Sequence, residues 1–330
     1  MNKAILAALL RSEKEDRLHH AYILAGPATK AKLETVLAFA GELFVGGIES
    51  PGAQRLLRTG HSDYVIIEAK EGLIRVDDVR DLPKLLAYPP LEMRKRLVVI
   101  KEAEALNGQA ANAILKILEE PPGHTTFFLL TKDAELLLQT VRSRCQMLRF
   151  PPIGEAELVS ILSQEGQGKE KVLHAVRWAE GATERAEELL LVEETQKIRA
   201  EALNCLFILW RACPRIPSEC LRIVDSWKDS HHFTIALDSF YAAIRDIAIL
   251  LSSGEQFPLY HEDSRKELQQ MTAQLLTNNK NSLDELLREL TDKCGKLHRL
   301  RVTQDFNVNQ KLALDSLVSD LQLFSIGKSR

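Results

Sequence analysis

Cysteine is scarce in this chain of 330 residues, and so are long apolar runs and any excess of one charge. The five cysteines (Cys145, Cys205, Cys213, Cys220 and Cys294) are odd in number and scattered. That excludes a disulfide framework and suits a reduced, cytoplasmic protein. Apolar runs are interrupted within about ten residues, too short to cross a hydrocarbon layer of roughly 30 Å, so no membrane partner is expected. The opening Met1-Asn2-Lys3 leads to a short apolar stretch before charge returns at Arg11-Ser12-Glu13-Lys14, which does not read as a secretory signal. Forty-three Lys and Arg stand against 46 Asp and Glu, for a formal net charge of -3. A chain so balanced is not expected to hold nucleic acid tightly by itself, although it could line such a site in company. Internal repeats and low-complexity tracts are also missing.

What remains is 45% hydrophobic and 27% charged, the composition of a globular chain. At roughly 100–200 residues per domain, the length suggests two or three domains. Strand and helix patterns alternate over the first 150 residues. A helix capped by Asn2 is expected over 3–12, then a buried strand over 21–25, a helix over 30–44 and a Gly- and Pro-bearing loop over 46–52. Further strands are expected at 64–67, 97–100, 126–130 and 146–150. Helices are expected at 77–88, kinked or shortened by Pro83, and at 110–120, stopped by Pro121-Pro122. Short apolar strands alternating with helices imply a parallel sheet covered on both faces. Ligands of such sheets sit at the carboxyl ends of the strands. Pro151-Pro152-Ile153-Gly154 breaks the rhythm, and the rest reads as helical. The boundaries expected are an α/β core over 1–152, a small bundle over 153–195 and a larger helical domain over 196–330.

Between the first strand and its helix lies Gly26-Pro27-Ala28-Thr29-Lys30-Ala31-Lys32-Leu33. This is the location of a phosphate-binding loop, in which Gly, four residues, Gly-Lys and Ser or Thr follow one another. Gly26 and Lys32 fit that pattern. Ala31 replaces the second glycine, and Leu33 replaces the hydroxyl residue that ligates magnesium. The same residues also suit an ordinary strand-to-helix turn. The second half of such a site is an apolar strand ending in Asp-Glu, yet the strand over 97–100 runs into Lys101-Glu102-Ala103-Glu104. Lys101 puts positive charge where a divalent cation would sit, which costs several kcal/mol unless the metal is absent. Two metal ligands are thus missing from opposite sides of one site.

A third motif is Asn107-Gly108-Gln109-Ala110-Ala111-Asn112-Ala113-Ile114-Leu115-Lys116-Ile117-Leu118-Glu119-Glu120-Pro121-Pro122, followed by Ser143-Arg144-Cys145. Together these resemble the clamp-loader branch of the AAA+ ATPases. So do the entry His20-Ala21-Tyr22-Ile23-Leu24-Ala25-Gly26-Pro27, His61-Ser62-Asp63, Ile74-Arg75-Val76-Asp77-Asp78-Val79-Arg80 and, near the other end, 307–315.

The resemblance implies an α/β parallel-sheet AAA+ nucleotide-binding core, a small helical lid domain and an all-α collar domain. It also implies a ring in which ATP lies between neighbouring subunits and the Ser-Arg-Cys arginine, here Arg144, reaches the neighbour's gamma-phosphate. Arginine suits that role because its planar, permanently charged fork spans two phosphate oxygens. The alternative for Arg144 is a solvated or salt-bridged arginine ahead of an edge strand, and Cys145 reads as a small packed residue rather than a nucleophile. Thr131 aligns with the polar residue that senses gamma-phosphate, and Arg185 matches the lid arginine that contacts nucleotide. Gly26, Lys32, Thr131 and Arg185 therefore outline a degenerate nucleotide site, vestigial or merely structural. Lys32 and Lys116 read equally as solvated lysines.

The leading reading is a non-hydrolysing clamp-loader subunit with no ATPase activity of its own. Its implied partners are gamma/tau and delta subunits of the DNA polymerase III clamp loader, and within the complex the sliding clamp and primer-template DNA. Alternatives are an ATP-hydrolysing gamma/tau-type subunit, or a free-standing nucleic-acid-binding protein using Arg94-Lys95-Arg96 and the basic stretch 296–301. Many bacterial relatives carry four closely spaced cysteines between the first helix and second strand, binding zinc. Residues 41–63 here contain none, so the thiolate set is missing and no metal is expected. Elemental analysis of the purified chain should find no stoichiometric zinc; one zinc per chain would overturn that expectation.

Overall fold

The computed structural model describes residues 1–70, 72–163, 168–209, 218–227, 230–253, 257–278, 282–303 and 316. It separates into two compact units, Met1–Gly154 with Gly181–Glu184, and Glu155–Glu180 with Arg185–Arg330. The resemblance at 307–315 and Cys213 lie outside the described residues.

The first unit runs α1 (Lys3–Lys14), β1 (Ala21–Ala25), α2 (Thr29–Glu42), α3 (Pro51–Thr59), β2 (Tyr64–Ile67), α4 (Val76–Val79), α5 (Leu82–Leu86), β3 (Arg96–Ile100), α6 (Gly108–Glu119), β4 (Thr125–Thr131), α7 (Gln139–Arg142) and β5 (Gln146–Arg149). Among the described residues the strands form one parallel sheet in the order β2-β3-β4-β1-β5. Successive side chains of a strand face opposite sides, and the central strands are apolar on both. Tyr22, Leu24, Leu97, Val99, Phe128 and Leu130 pack against Val36, Phe39 and Ala40 of α2. Ile23, Val98, Ile100, Phe127 and Leu129 pack on the other face, against Ile114 and Leu118 of α6. This is the doubly covered sheet expected from the unbroken apolar runs.

Two local expectations need revision. The loop at 46–52 instead leads into α3, with Pro51 in the first turn and the Ser50 side chain accepting a hydrogen bond from the Ala53 N–H at 3.2 Å. Ser followed by Pro is a helix start, and reading it only as loop missed that. The single helix over 77–88 is two short ones, α4 and α5, with Pro83 in the first turn of the second. Proline is tolerated there because no helical donor is lost. As expected, Asn2 caps α1 by accepting from the Ile5 N–H at 3.1 Å.

The second unit contains α8 (Glu155–Leu162), α9 (Lys169–Trp178), α10 (Thr183–Leu191, begun in the first unit), α11 (Glu193–Leu209), α12 (Ser218–Ser226), α13 (Ser230–Ser253), α14 (Arg265–Asn278) and α15 (Leu283–Thr303). Leu206, Leu209, Phe240, Ile244, Ile247, Leu290 and Leu297 share its core. Arg199 of α11 forks onto Asp263 at 3.0 and 2.8 Å, and donates to His174 of α9 at 2.8 Å. Burial and the neighbouring Arg199 hold His174 down to about 4, so the ring accepts as a neutral imidazole. Among the described residues no helix is long and apolar enough to cross a membrane.

His61-Ser62-Asp63 and Arg96 organise one corner of the first unit. The Asp63 carboxylate, wholly buried, accepts from the N–H groups of Leu91, Glu92 and Met93 at 2.8–3.2 Å. Arg96, also buried, donates to the carbonyls of Leu85, Tyr88 and Pro89 and lies 3.5 Å from Asp63. Arg96 is therefore no part of an exposed basic patch, and Arg94 is paired with Glu13 at 2.8 Å. Burial pushes the Asp63 carboxyl up, but the three N–H groups and His61 outweigh it and hold it below 3.8. Replacing Asp63 by Ala should cost about 3–5 kcal/mol in urea denaturation, because the Arg96 charge is left buried. The difference between the two proteins should shrink as pH falls below the unfolded value of 3.8.

Candidate functional site

β1 and β4 are neighbours, yet the chain leaves them toward opposite faces, to α2 on one side and α7 on the other. Their carboxyl ends thus border the crevice in which ligands of such sheets bind. Gly26 follows β1 with φ +153, and a Cβ there would collide with the Phe150 carbonyl oxygen. Only glycine permits this approach.

Lys32 turns back into that crevice. It is 1% exposed, and its Nζ donates to the carbonyls of Gly26 at 2.6 Å and Thr131 at 2.8 Å. The solvated alternative for Lys32 is excluded by burial in α2, whereas Lys116 is exposed. Burial lowers Lys32 to about 8, opposed by the charges of Glu104 and Glu184. The Thr131 hydroxyl donates to the Asp133 carbonyl at 2.7 Å, so it too has a local partner. Ala28 offers no side-chain cap to α2, and the Lys30 N–H donates instead to the Glu184 carboxylate. An internal carboxylate therefore stands at a helix N-terminus, where the macrodipole favours an anion. Neither Glu104 nor Glu184 was picked out from the sequence as a site residue. Glu104 was visible beside Lys101, but its 7% exposure and nearness to Lys32 are products of the fold.

Leu33 and Lys101, the two residues expected from the sequence to replace metal ligands, line one groove of about 810 Å³ together with Leu37, Leu56, Tyr64 and Ile66. Lys101 is ion-paired with Glu68. Magnesium nucleotide does not fit this donor set. The side chain at 33 has no oxygen, the one at 101 is cationic, and Lys32 is turned onto backbone. Among the described residues no group of three or more His, Cys, Asp or Glu side chains could hold a metal ion. Arg185 belongs to the other unit, where it pairs with Asp238 at 2.7 Å and Glu180 at 3.4 Å and stacks over Trp178.

Ser143-Arg144-Cys145 forms a separate site between α7 and β5. Each residue of the triplet has its own task. The Ser143 hydroxyl donates to the Thr140 carbonyl at 3.0 Å and closes the turn. Cys145 packs against the sheet core, and burial pushes its thiol up to about 12, so it is an anchor rather than a nucleophile. Arg144 is left at the surface, 35% exposed and paired with Glu119 at 2.7 Å. It borders a second hollow of about 570 Å³ lined also by His19, His20, Leu118 and Gln146. A purely structural arginine ahead of an edge strand would show the same ion pair, so geometry alone leaves both readings of Arg144 in place.

Residues 1–154 match the family described as DNA polymerase III, delta subunit. Over 96% of this chain and 95% of the relative, the sequence is 26% identical to the DNA polymerase III subunit delta' of Bacillus subtilis (strain 168). This chain is thus similar in sequence to DNA polymerase III delta' subunits. A delta' subunit of Pseudomonas aeruginosa is 36% identical over 44% of this chain and 47% of its own length. The tau/gamma subunit of Haemophilus influenzae is 32% identical over 49% of this chain and 25% of its own length. Both of these shorter matches span less than half of the relative. The likeness to delta' in the Bacillus comparison, by contrast, extends through the helical unit.

The Lys32 tie has a pH signature. An unfolded lysine titrates at 10.5 and the folded one at about 8. Between these values the unfolded chain binds more protons, so this group favours the folded state increasingly as pH rises from 8 to 10.5. Lys32→Met should flatten that rise in stability, measured by urea denaturation across the same range.

Proposed function

We propose that this chain is a delta'-type subunit of a DNA polymerase III clamp loader that hydrolyses no ATP itself and lends Arg144 to a neighbouring ATPase subunit. The clamp-loader role rests on the likeness to delta' subunits. The finer reading is carried by the contrast between two cations. Lys32, which would face phosphate in an active site, is buried on backbone carbonyls, while Arg144 in an intact Ser-Arg-Cys triplet stands at the surface.

In this reading Gly26, Lys32, Thr131 and Arg185 are remnants of a nucleotide site with structural duties. Residues 153–195 form the small lid bundle, and the helices from 196 onward join the collar of a cytoplasmic complex. The partners are gamma/tau and delta subunits, with the sliding clamp and primed DNA met inside the assembly. The gamma/tau-type alternative draws on the likeness to tau/gamma over half of the chain, but it requires magnesium to be held without help from residues 33 and 101.

Purified chain alone should show no magnesium-dependent ATP turnover, and turnover would favour the alternative. In a loader reconstituted with its own partner subunits, Arg144→Ala should lower DNA-stimulated hydrolysis at the site it serves by about 10³–10⁵. Arg144→Lys should restore little, because the fork is lost. Unchanged rates in Arg144→Ala would remove the finger.

A further inference from the structure

Arg144 reaches the surface from a short turn, and an arginine in that situation would ordinarily sample many rotamers. Here the residue is held on several sides. Its backbone N–H donates to the Val141 carbonyl at 3.1 Å. The guanidinium Nη1 donates to the Thr140 carbonyl at 3.0 Å and lies 3.4 Å from the Ser143 hydroxyl. Nη2 donates to Glu119 Oε1 at 2.7 Å. The first two of these side-chain partners lie within four residues of Arg144, but Glu119 comes from the end of α6.

The placement of Glu119 follows from its helix. Ala110, Ala111, Ile114 and Leu118 face the core, which leaves Glu119 exposed one step round the helix. Pro121-Pro122 stops the helix immediately beyond. The C-terminal carbonyls of α6 add partial negative charge at the same end, which favours a guanidinium. Thr140 and Glu119 occupy Nη1 and Nη2, and the Nε–H has no partner among the described residues. The guanidinium is thus fixed in orientation while one edge of its fork stays available.

We propose that Glu119 is a positioning residue for Arg144, holding the guanidinium in the orientation from which it meets an anionic group, the terminal phosphate of a nucleotide bound by an adjacent subunit. This rests on the reading of Arg144 as a finger. The physical gain is rotamer freedom removed before assembly, since a free arginine side chain samples many rotamers. The ion pair is half exposed, so its contribution is modest and the guanidinium remains free to add a phosphate partner.

The test is a double-mutant cycle in the reconstituted loader. Glu119→Gln keeps the shape and removes the charge. It should lower the DNA-stimulated kcat about two- to fivefold and leave the KM for ATP unchanged, since Glu119 does not touch the bound nucleotide in this arrangement. Added to Arg144→Ala, it should cause no further fall. An unchanged kcat in Glu119→Gln overturns the inference. So does an equal fall in the Arg144→Ala background, which would mean that Glu119 acts on the fold rather than through Arg144. In both cases a fall in Arg144→Ala alone would leave the finger itself standing. Nitrogen-15 relaxation of the Arg144 side chain in the isolated full chain supplies a readout independent of assembly. Side-chain order should drop in Glu119→Gln, and unchanged order would also overturn the positioning role, whatever the finger does.

Discussion

The ammonium of Lys32 lies out of water at the carboxyl ends of β1 and β4, and the carbonyls of Gly26 and Thr131 receive it. A buried charge without partners would be expensive, so these two carbonyls and the nearby carboxylates of Glu104 and Glu184 are what make its burial tolerable. The tie joins the turn after β1 to the end of β4, the two strands that border the crevice of the sheet. Glu184 completes the arrangement by accepting from the first turn of α2. The cation in this crevice and the helix N-terminus beside it are thus both answered from within the chain.

The triplet at 143–145 follows the opposite logic. Its flanking residues are committed inward, Ser143 to a backbone carbonyl and Cys145 to the core, and that commitment is what delivers Arg144 outward. One sheet therefore supports an internally neutralised crevice and, beside β5, a half-exposed guanidinium paired with Glu119. Rigidity in the first supports placement in the second, since β1 is hydrogen-bonded to both β4 and β5.

Buried charge recurs as a structural device elsewhere. Asp63 and Arg96 pin the segment from Leu85 to Met93 through its backbone, and Asp246 accepts from the N–H groups of Tyr260 and His261 in the helical unit. Such groups look like candidate binding residues when read one at a time. Many of their partners are main-chain N–H and C=O groups, and each pairing fastens a loop that forms no helix or strand ladder of its own to satisfy them.

The order of strands and helices in the first unit was legible because apolar period and length distinguish the two, and the described strands agree with the expected ones within about two residues. The residue types at positions 33 and 101, an apolar side chain and a cation, were likewise visible without coordinates. Helix α3 was missed although Ser50-Pro51 announced it, because glycines around it suggested a loop. Arg94-Lys95-Arg96 looked like one basic cluster, but its third member opens β3, whose residues are all buried, and its guanidinium is taken up by the carbonyls of Leu85, Tyr88 and Pro89. The burial of Lys32, the carboxylate of Glu184 on α2 and the pairing of Glu119 with Arg144 belong to tertiary structure alone. The two pairings join residues 154 and 25 positions apart, and local sequence carries no record of which distant side chain will arrive at a given backbone group. Chain order and residue chemistry thus determined the sheet and the absence of an oxygen ligand at position 33, while folding decided which charges pair and which of those pairs lie at the surface.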